Sequence, residues 1–223
     1  MSGLTKSDQS FQALFFHVIS FLNDHKIRYA ILRGYEDLPN ARINDIDFAI
    51  ESKEHISLLL EHLLDKGVKI RLTKERFGVQ MFTFSWMSTE VKYDFWYDIN
   101  YAGLSYCDLD LLFATSVLED GKEFRRASFK SEFFVSVLKE MLHNKRLRND
   151  KVNRLQQVND INYEWENILS KHTSSRLSKM VSENKYETEL RLKTLKEIVL
   201  NNYRKYKFEV IIRIANWLLT RLR

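Results

Sequence analysis

Apolar residues recur with two different periods along this chain, and the change of period divides it. Phe11, Leu14, Phe15, Val18, Ile19 and Leu22 fall at helical spacing, with Ser7 or Ser10 placed to cap the start and Asn23-Asp24-His25-Lys26 closing the run. The next segments alternate instead. Ile27 to Arg33 reads as a strand stopped at Gly34, a loop follows from Tyr35 to Asn44 around the only proline, Pro39, and Asp45 to Glu51 reads as a second strand. Ser52 is placed to cap a helix whose Ile56, Leu59, Leu60 and Leu63 share one face, and Gly67 stands where such a helix ends. Val68 to Leu72, Val79 to Phe84 and Val91 to Tyr97 are three further predicted strands.

Beyond about residue 130 the helical period returns and stays. Phe133, Phe134, Val137, Leu138, Met141 and Leu142 predict one amphipathic helix, and Val152 to Leu169, Tyr186 to Tyr206 and Phe208 to Leu222 predict three more. Glycine and proline are both absent after Gly121, which suits a helical region. The predicted class is therefore α+β: a mixed-sheet domain over residues 1–130, followed by an α-helical region over 131–223.

Composition narrows this picture. A hydrophobic fraction of 44% with 13% aromatics supplies a core and argues against disorder. The single cysteine, Cys107, excludes an internal disulfide and a thiolate cluster, and reads as a small buried hydrophobe. No histidine or cysteine spacing matches a zinc site. Residues 1–9 are polar and no apolar run is long enough to span a bilayer, so a cytoplasmic location is the expectation.

The net charge of +5 is unevenly placed. From Lys185 to Arg223 there are ten Lys/Arg against four Asp/Glu, and the rest of the chain is close to neutral. A nucleic-acid footprint over the whole protein is not what this shows, and nucleic acid is not the expected partner. The last helix, with Arg213, Arg221 and Arg223 beside a broad apolar face, has two readings. Packing within the helical half is favoured over a peripheral contact with an anionic membrane at its inner face.

The chemistry gathers around Gly34 and the pair Asp45-Ile-Asp47 that opens an apolar strand. Side chains at i and i+2 of a strand share a face, so the two carboxylates point together. Paired hard oxygen donors suit Mg²⁺, with its other positions left to water and phosphate. Neighbouring carboxylates repel unless a cation lies between them, so replacing both by asparagine is expected to leave the fold at least as stable. Glycine at the end of the neighbouring strand allows a phosphate close to the backbone. Asp94 is a carboxylate inside an apolar strand, a costly placement without a partner, and is the preferred third member. Asp98 shares its strand parity and competes with it. A second pair, Asp108-Leu-Asp110, has no glycine-ended strand before it and reads as turn and cap residues.

The stretches Tyr29-Ala-Ile-Leu-Arg-Gly34, Asn44-Asp-Ile-Asp-Phe48 and Lys92-Tyr-Asp-Phe95 together resemble the nucleotidyltransferase superfamily, which shares the fold of DNA polymerase beta. More narrowly, Ile31-Leu-Arg-Gly-Tyr-Glu-Asp-Leu-Pro39 and Tyr101-Ala-Gly-Leu-Ser-Tyr106 are similar to segments of uncharacterised nucleotidyltransferase-like proteins from bacterial surface-polysaccharide gene clusters. The resemblance spans roughly residues 27–145. It implies a strand-glycine turn that binds phosphate, Asp45 and Asp47 as metal ligands, and Asp94 as third ligand or as the base that activates an attacking hydroxyl. The implied partners are a nucleotide or nucleotide-linked donor, Mg²⁺ and a glycan acceptor.

One position departs from that pattern. The superfamily's glycine-serine pair is Gly34-Tyr35 here, which removes a hydroxyl that would bind a triphosphate and points toward a diphosphate-linked donor. Arg33, Gly34 and Tyr35 are the expected substrate-binding residues, with Arg33 open to either a phosphate contact or a strand-edge surface role. Arg42 reads as a plain loop residue. His143-Asn-Lys-Arg146 with Arg148 and Lys151 reads as cations completing a helix C-terminus, in preference to a phosphate clamp. Trp86, Tyr93, Phe95, Trp96 and Tyr97 read as core and sheet surface rather than a base-stacking platform. The expected function is Mg²⁺-dependent transfer on a nucleotide-linked phosphate. The alternatives are a non-catalytic nucleotide- or glycan-binding module of the same fold, or RNA-directed nucleotidyl transfer.

Overall fold

The first helix, α1 (Lys6–Asp24), starts where a reciprocal cap can form. The cap is Thr5, not Ser7 or Ser10. Its hydroxyl accepts from the Asp8 amide at 3.2 Å, while the Asp8 carboxylate accepts from the Thr5 amide at 3.1 Å. Each side chain thereby satisfies a donor that the first turn leaves without a helical partner. Ser10 lies inside the helix, where its hydroxyl donates to the Lys6 carbonyl. The apolar stripe from Phe11 to Leu22 is buried, as its spacing predicts. This computed structural model describes residues 5–40, 43–118, 121–148, 168–206 and 209–222.

The strands are β1 (Tyr29–Arg33), β2 (Asp45–Ile50), β3 (Lys69–Arg76), β4 (Val79–Trp86), β5 (Thr89–Trp96), β6 (Asn100–Tyr101), β7 (Leu104–Ser105), β8 (Val117–Leu118) and β9 (Arg125–Arg126). Seven of them make one mixed sheet in the order β3-β4-β5-β2-β1-β9-β8, which with the C-terminal helices makes the class α+β. The β2–β5 and β1–β9 pairs are parallel and the others antiparallel. Strands β6 to β9 were not foreseen, since two residues cannot display a period. Helix α2 (Lys53–Asp65) is capped by Ser52 as expected, with Gly67 following it at φ +78°.

Helix α1 lies against β5, and α2 against β2 and β3. Ile46, Phe48 and Ile50 of β2, Phe82 and Phe84 of β4, and Val91, Tyr93 and Phe95 of β5 join the helices in one core. Alternation then sends Asp45, Asp47, Lys92, Asp94 and Trp96 to the opposite face. Filling one side of the sheet with aromatics places the charged residues together on the other.

The chain forms two compact units, Met1–Asp98 with Phe113–Ala127, and Ile99–Leu112 with Ser128–Arg223. Helix α3 (Leu109–Ala114) has residues in both, and the helices of the second are α4 (Phe129–Leu138) continued by a π-helical stretch Lys139–Asn144, α5 (Lys171–Ser182), α6 (Thr188–Tyr206) and α7 (Glu209–Leu222). The single helix expected over 133–142 thus widens at Lys139. Helix α5 was not anticipated because its sequence is mostly polar, and only Leu177, Met180 and Val181 form its large apolar stripe. Most of the helix predicted from Val152, together with Arg42 and Lys151, lies outside the described residues. Among the described residues no helix is long and apolar enough to cross a membrane.

Within the second unit, β6 and β7 make a hairpin whose turn residues Ala102 and Gly103 both have positive φ, +55° and +77°. That is the turn whose twist matches the strands it joins. Asn202 of α6, almost fully buried, accepts from the Ser105 amide at 2.9 Å and donates to its carbonyl at 2.7 Å. One side chain thereby supplies β7 with both bonds a neighbouring strand would give. Helix α7 packs on the same hairpin: Arg213 donates to the Ser105 hydroxyl at 2.9 Å and stacks 3.9 Å from the centre of the Tyr206 ring. Its Ile211, Ile212, Leu218 and Leu219 remain exposed.

A Cβ on Gly103 would collide with the backbone carbonyl of Arg213. Gly103→Ala therefore meets an unfavourable φ and a backbone clash at once. The expected loss is more than about 1 kcal/mol in urea unfolding. Unchanged stability would mean that α7 is not seated on the turn.

Candidate functional site

Strand β1 ends in Arg33 and Gly34, and its antiparallel register sets Arg33 opposite Asp47 of β2. The parallel β2–β5 register sets Asp47 beside Asp94 and Asp45 beside Lys92. The structure thus brings Arg33, Asp45, Asp47 and Asp94 onto one face of three adjacent strands. Asp98 lies beyond the end of β5, where its amide donates to the Gly78 carbonyl at 3.1 Å, so register favours Asp94 as the third carboxylate.

Asp47 is the most enclosed of the acids. Its side chain is 4% exposed, against 26% for Arg33. The Arg33 Nε donates to one carboxylate oxygen at 2.5 Å, and the Trp96 indole N–H donates to the other at 3.2 Å. Burial works against the charge on Arg33, but the hydrogen-bonded Asp47 carboxylate and the nearby Asp45 and Asp94 outweigh it, so the guanidinium is held even more firmly protonated than usual. Asp45 is exposed and Asp94 half-buried. One guanidinium therefore sits in the field of three carboxylates.

This changes how the acids read. Like-charge repulsion is not the dominant force on Asp47, because Arg33 already compensates it. Losing Asp47 would therefore remove a partner from Arg33 as well as a repelling charge. Among the described residues no group of three or more His, Cys, Asp or Glu side chains already converges as a metal site. The donor chemistry nonetheless fits a divalent cation: the oxygens are hard, and the cluster already holds one cation, the Arg33 guanidinium. Asp45, Asp47 and Asp94 are the residues that would hold Mg²⁺.

Gly34 adopts φ +71°, and a Cβ there would meet nothing within 4 Å. Its need for glycine is conformational, and the space beside it is open to a ligand. The Tyr35 ring does not share that space. It is 1% exposed, in the core, with the Arg126 guanidinium 5.0 Å from its centre. The ring of Tyr35, expected from sequence among the substrate-binding residues, packs in the core, while its carbonyl accepts from Lys122 Nζ at 3.3 Å.

Other sequence features resolve as structure. Asp108 accepts from the amides of Asp110 and Leu111 at 3.0 and 3.3 Å, capping α3. Arg148 reaches back to the buried Glu140 at 2.7 Å, a specific ion pair rather than a general complement to a helix end. Cys107 is buried. The Trp96 and Lys92 positions were missed as site residues, although both lie two residues from Asp94 and so share its face.

No family model matches the chain, and no curated protein matches it. Similar solved structures include a tRNA-processing enzyme in an apo form, at 14% identity and a TM-score of 0.37, covering 96% of this chain and 59% of that one. A tRNA-processing enzyme complex matches at 14% identity and a TM-score of 0.34, covering 88% of this chain and 57% of that one. The chain spans less than two thirds of either.

Asp47→Asn would leave Arg33 without its counter-charge in a largely enclosed position. Breaking such a pair costs on the order of 3 kcal/mol. Asp45→Asn, at an exposed position, should change stability by no more than about 0.5 kcal/mol. Urea unfolding of the two variants checks this, and equal stabilities would show that the Arg33–Asp47 pair does not hold the sheet.

Proposed function

We propose that this chain is a Mg²⁺-dependent transferase acting on a nucleotide-linked phosphate, of the nucleotidyltransferase type found in bacterial surface-polysaccharide synthesis. The observation that carries the reading is the cross-strand row Arg33, Asp47, Asp94 with Asp45 two residues away, beside the open space at Gly34. The sequence resemblance supplies the class of chemistry. The geometry supports it by joining segments far apart in the chain on one face.

In this reading Asp45 and Asp47 would hold the ion, with Asp94 as third ligand or as base, and the ion's charge would offset that developing on phosphate oxygens. The Gly34 turn admits the phosphate, and Arg33, when released from Asp47, is near enough to the turn to contact it. An acceptor hydroxyl, for which a glycan is proposed, forms the new bond to phosphorus as the bond to the leaving oxygen breaks. Asp94 takes the hydroxyl proton. Most of the rate would come from positioning and electrostatics. A second reading, a non-catalytic nucleotide- or glycan-binding module, is favoured by one observation: Arg33 already neutralises Asp47.

Thermal stabilisation separates the two. A panel of UDP-sugars, UDP and nucleoside triphosphates is measured with magnesium and with EDTA. The transferase reading expects the largest shift from a diphosphate-linked ligand with magnesium, and loss of that shift in EDTA. A shift indifferent to EDTA would assign a binding module. Preference for a triphosphate would remove the diphosphate donor, and no shift from any nucleotide would overturn both readings.

A further inference from the structure

The sheet face that carries the acids also carries a strip of cations. In register, Arg71 of β3 lies opposite Thr83 of β4, Thr83 opposite Lys92 of β5, and Lys92 beside Asp45 of β2. The adjacent row runs Lys74, Met81, Asp94, Asp47 and Arg33. Lys69 pairs with Ser85 and Arg76 with Val79, so both point the same way as Arg71 and Lys74. Every β3 residue in register on this face is therefore Lys or Arg. The strand's one acid, Glu75, serves the other face, where Lys53 of α2 holds it at 2.7 Å. Glu90 of β5 shares the face with the cations and accepts from the Ser85 hydroxyl at 3.1 Å.

Among the described residues none of Lys69, Arg71, Lys74, Arg76 or Lys92 takes part in an ion pair. A second observation points to a ligand. Thr83 is 1% exposed and, among the described residues, its hydroxyl has no hydrogen-bond partner. A buried polar group left unpaired carries a desolvation cost, which an incoming acceptor would recover. Other buried hydroxyls also lack a partner, those of Thr89, Tyr93, Ser174 and Thr194, but Thr83 is the one flanked in register by two cations.

We infer that Arg71, Thr83 and Lys92 form a subsite for a phosphate group of the substrate, with Lys69, Lys74 and Arg76 extending the positive strip along the sheet edge. The hydroxyl donates, and the two cations supply charge-assisted bonds. Thr83 stands two strand spacings, about 10 Å, from Asp45, so the phosphate held here is a different one from that beside Gly34. The ligand therefore carries more than one phosphate. This deepens the proposed transfer reaction and rests on it only for calling the ligand a substrate.

The test is titration of the full chain in EDTA with inorganic tripolyphosphate, UDP and a short single-stranded oligonucleotide. Arg71→Gln/Lys92→Gln should weaken tripolyphosphate binding by about tenfold or more, the worth of one or two lost charged hydrogen bonds. Lys6→Gln/Lys185→Gln removes the same charge from other exposed positions and should leave it nearly unchanged. Thr83→Val should weaken it while the fold stays as stable as the parent or gains. Loss extending to UDP assigns the subsite to a small ligand, and loss confined to the oligonucleotide and tripolyphosphate assigns it to a polyphosphate backbone. Equal losses in the two double variants, or no loss in the first, would overturn the subsite. Strand cations that only guard the sheet edge would instead show unchanged binding and new self-association in the first double variant. Because magnesium is absent throughout, failure here leaves the metal reading standing, and failure of magnesium binding leaves the subsite standing.

Discussion

Asp47 is held within a sheet by Arg33, opposite it on the neighbouring strand, which donates to one oxygen while Trp96 donates to the other. A carboxylate that enclosed would otherwise be expelled or neutralised. The pair also fixes the relation of β1 to β2 at the point where β1 turns away through Gly34. Asp94 follows from the same constraint, since the parallel register that buries Phe48 beside Phe95 also sets Asp47 beside Asp94. The fold and the site therefore share one condition: an aromatic core on the helical face, with Asp47 compensated by Arg33 on the other.

Much of this was legible in the residues. The stripe from Phe11 to Leu22, Ser52 as a cap, Gly67 after α2 and the alternation around Asp45 and Asp94 are local signals, and they were realised locally. Strand parity alone put Asp45 and Asp47 on one face. The absence of a glycine-ended strand before them separated Asp108 and Asp110, which serve as a cap and its following turn.

What the residues did not disclose was long-range. Nothing near Arg33 says that its partner is Asp47, because the contact depends on which strands become neighbours. The side chain open to two readings from sequence proved to be the counter-ion of the acids. The burial of Tyr35 was hidden for a related reason: the turn after Gly34 sends its ring into the core beside Arg126. The cationic row was invisible until β3, β4 and β5 were set in register, since Arg71, Thr83 and Lys92 are unremarkable apart. Helix α5 carried too few apolar residues to declare itself.

We propose that the acidic face is built for a cation, a role that the Arg33 guanidinium fills beside Asp47. Calorimetric titration with magnesium tests it most directly, comparing the parent chain with Arg33→Met and with Arg33→Met/Asp45→Asn, and with circular dichroism checking each fold. Removing the competing guanidinium should tighten magnesium binding by about tenfold or more, a gain of about 1.4 kcal/mol. The added loss of Asp45 should abolish that gain. Magnesium affinity unchanged or weakened by Arg33→Met, in a folded protein, would contradict the account.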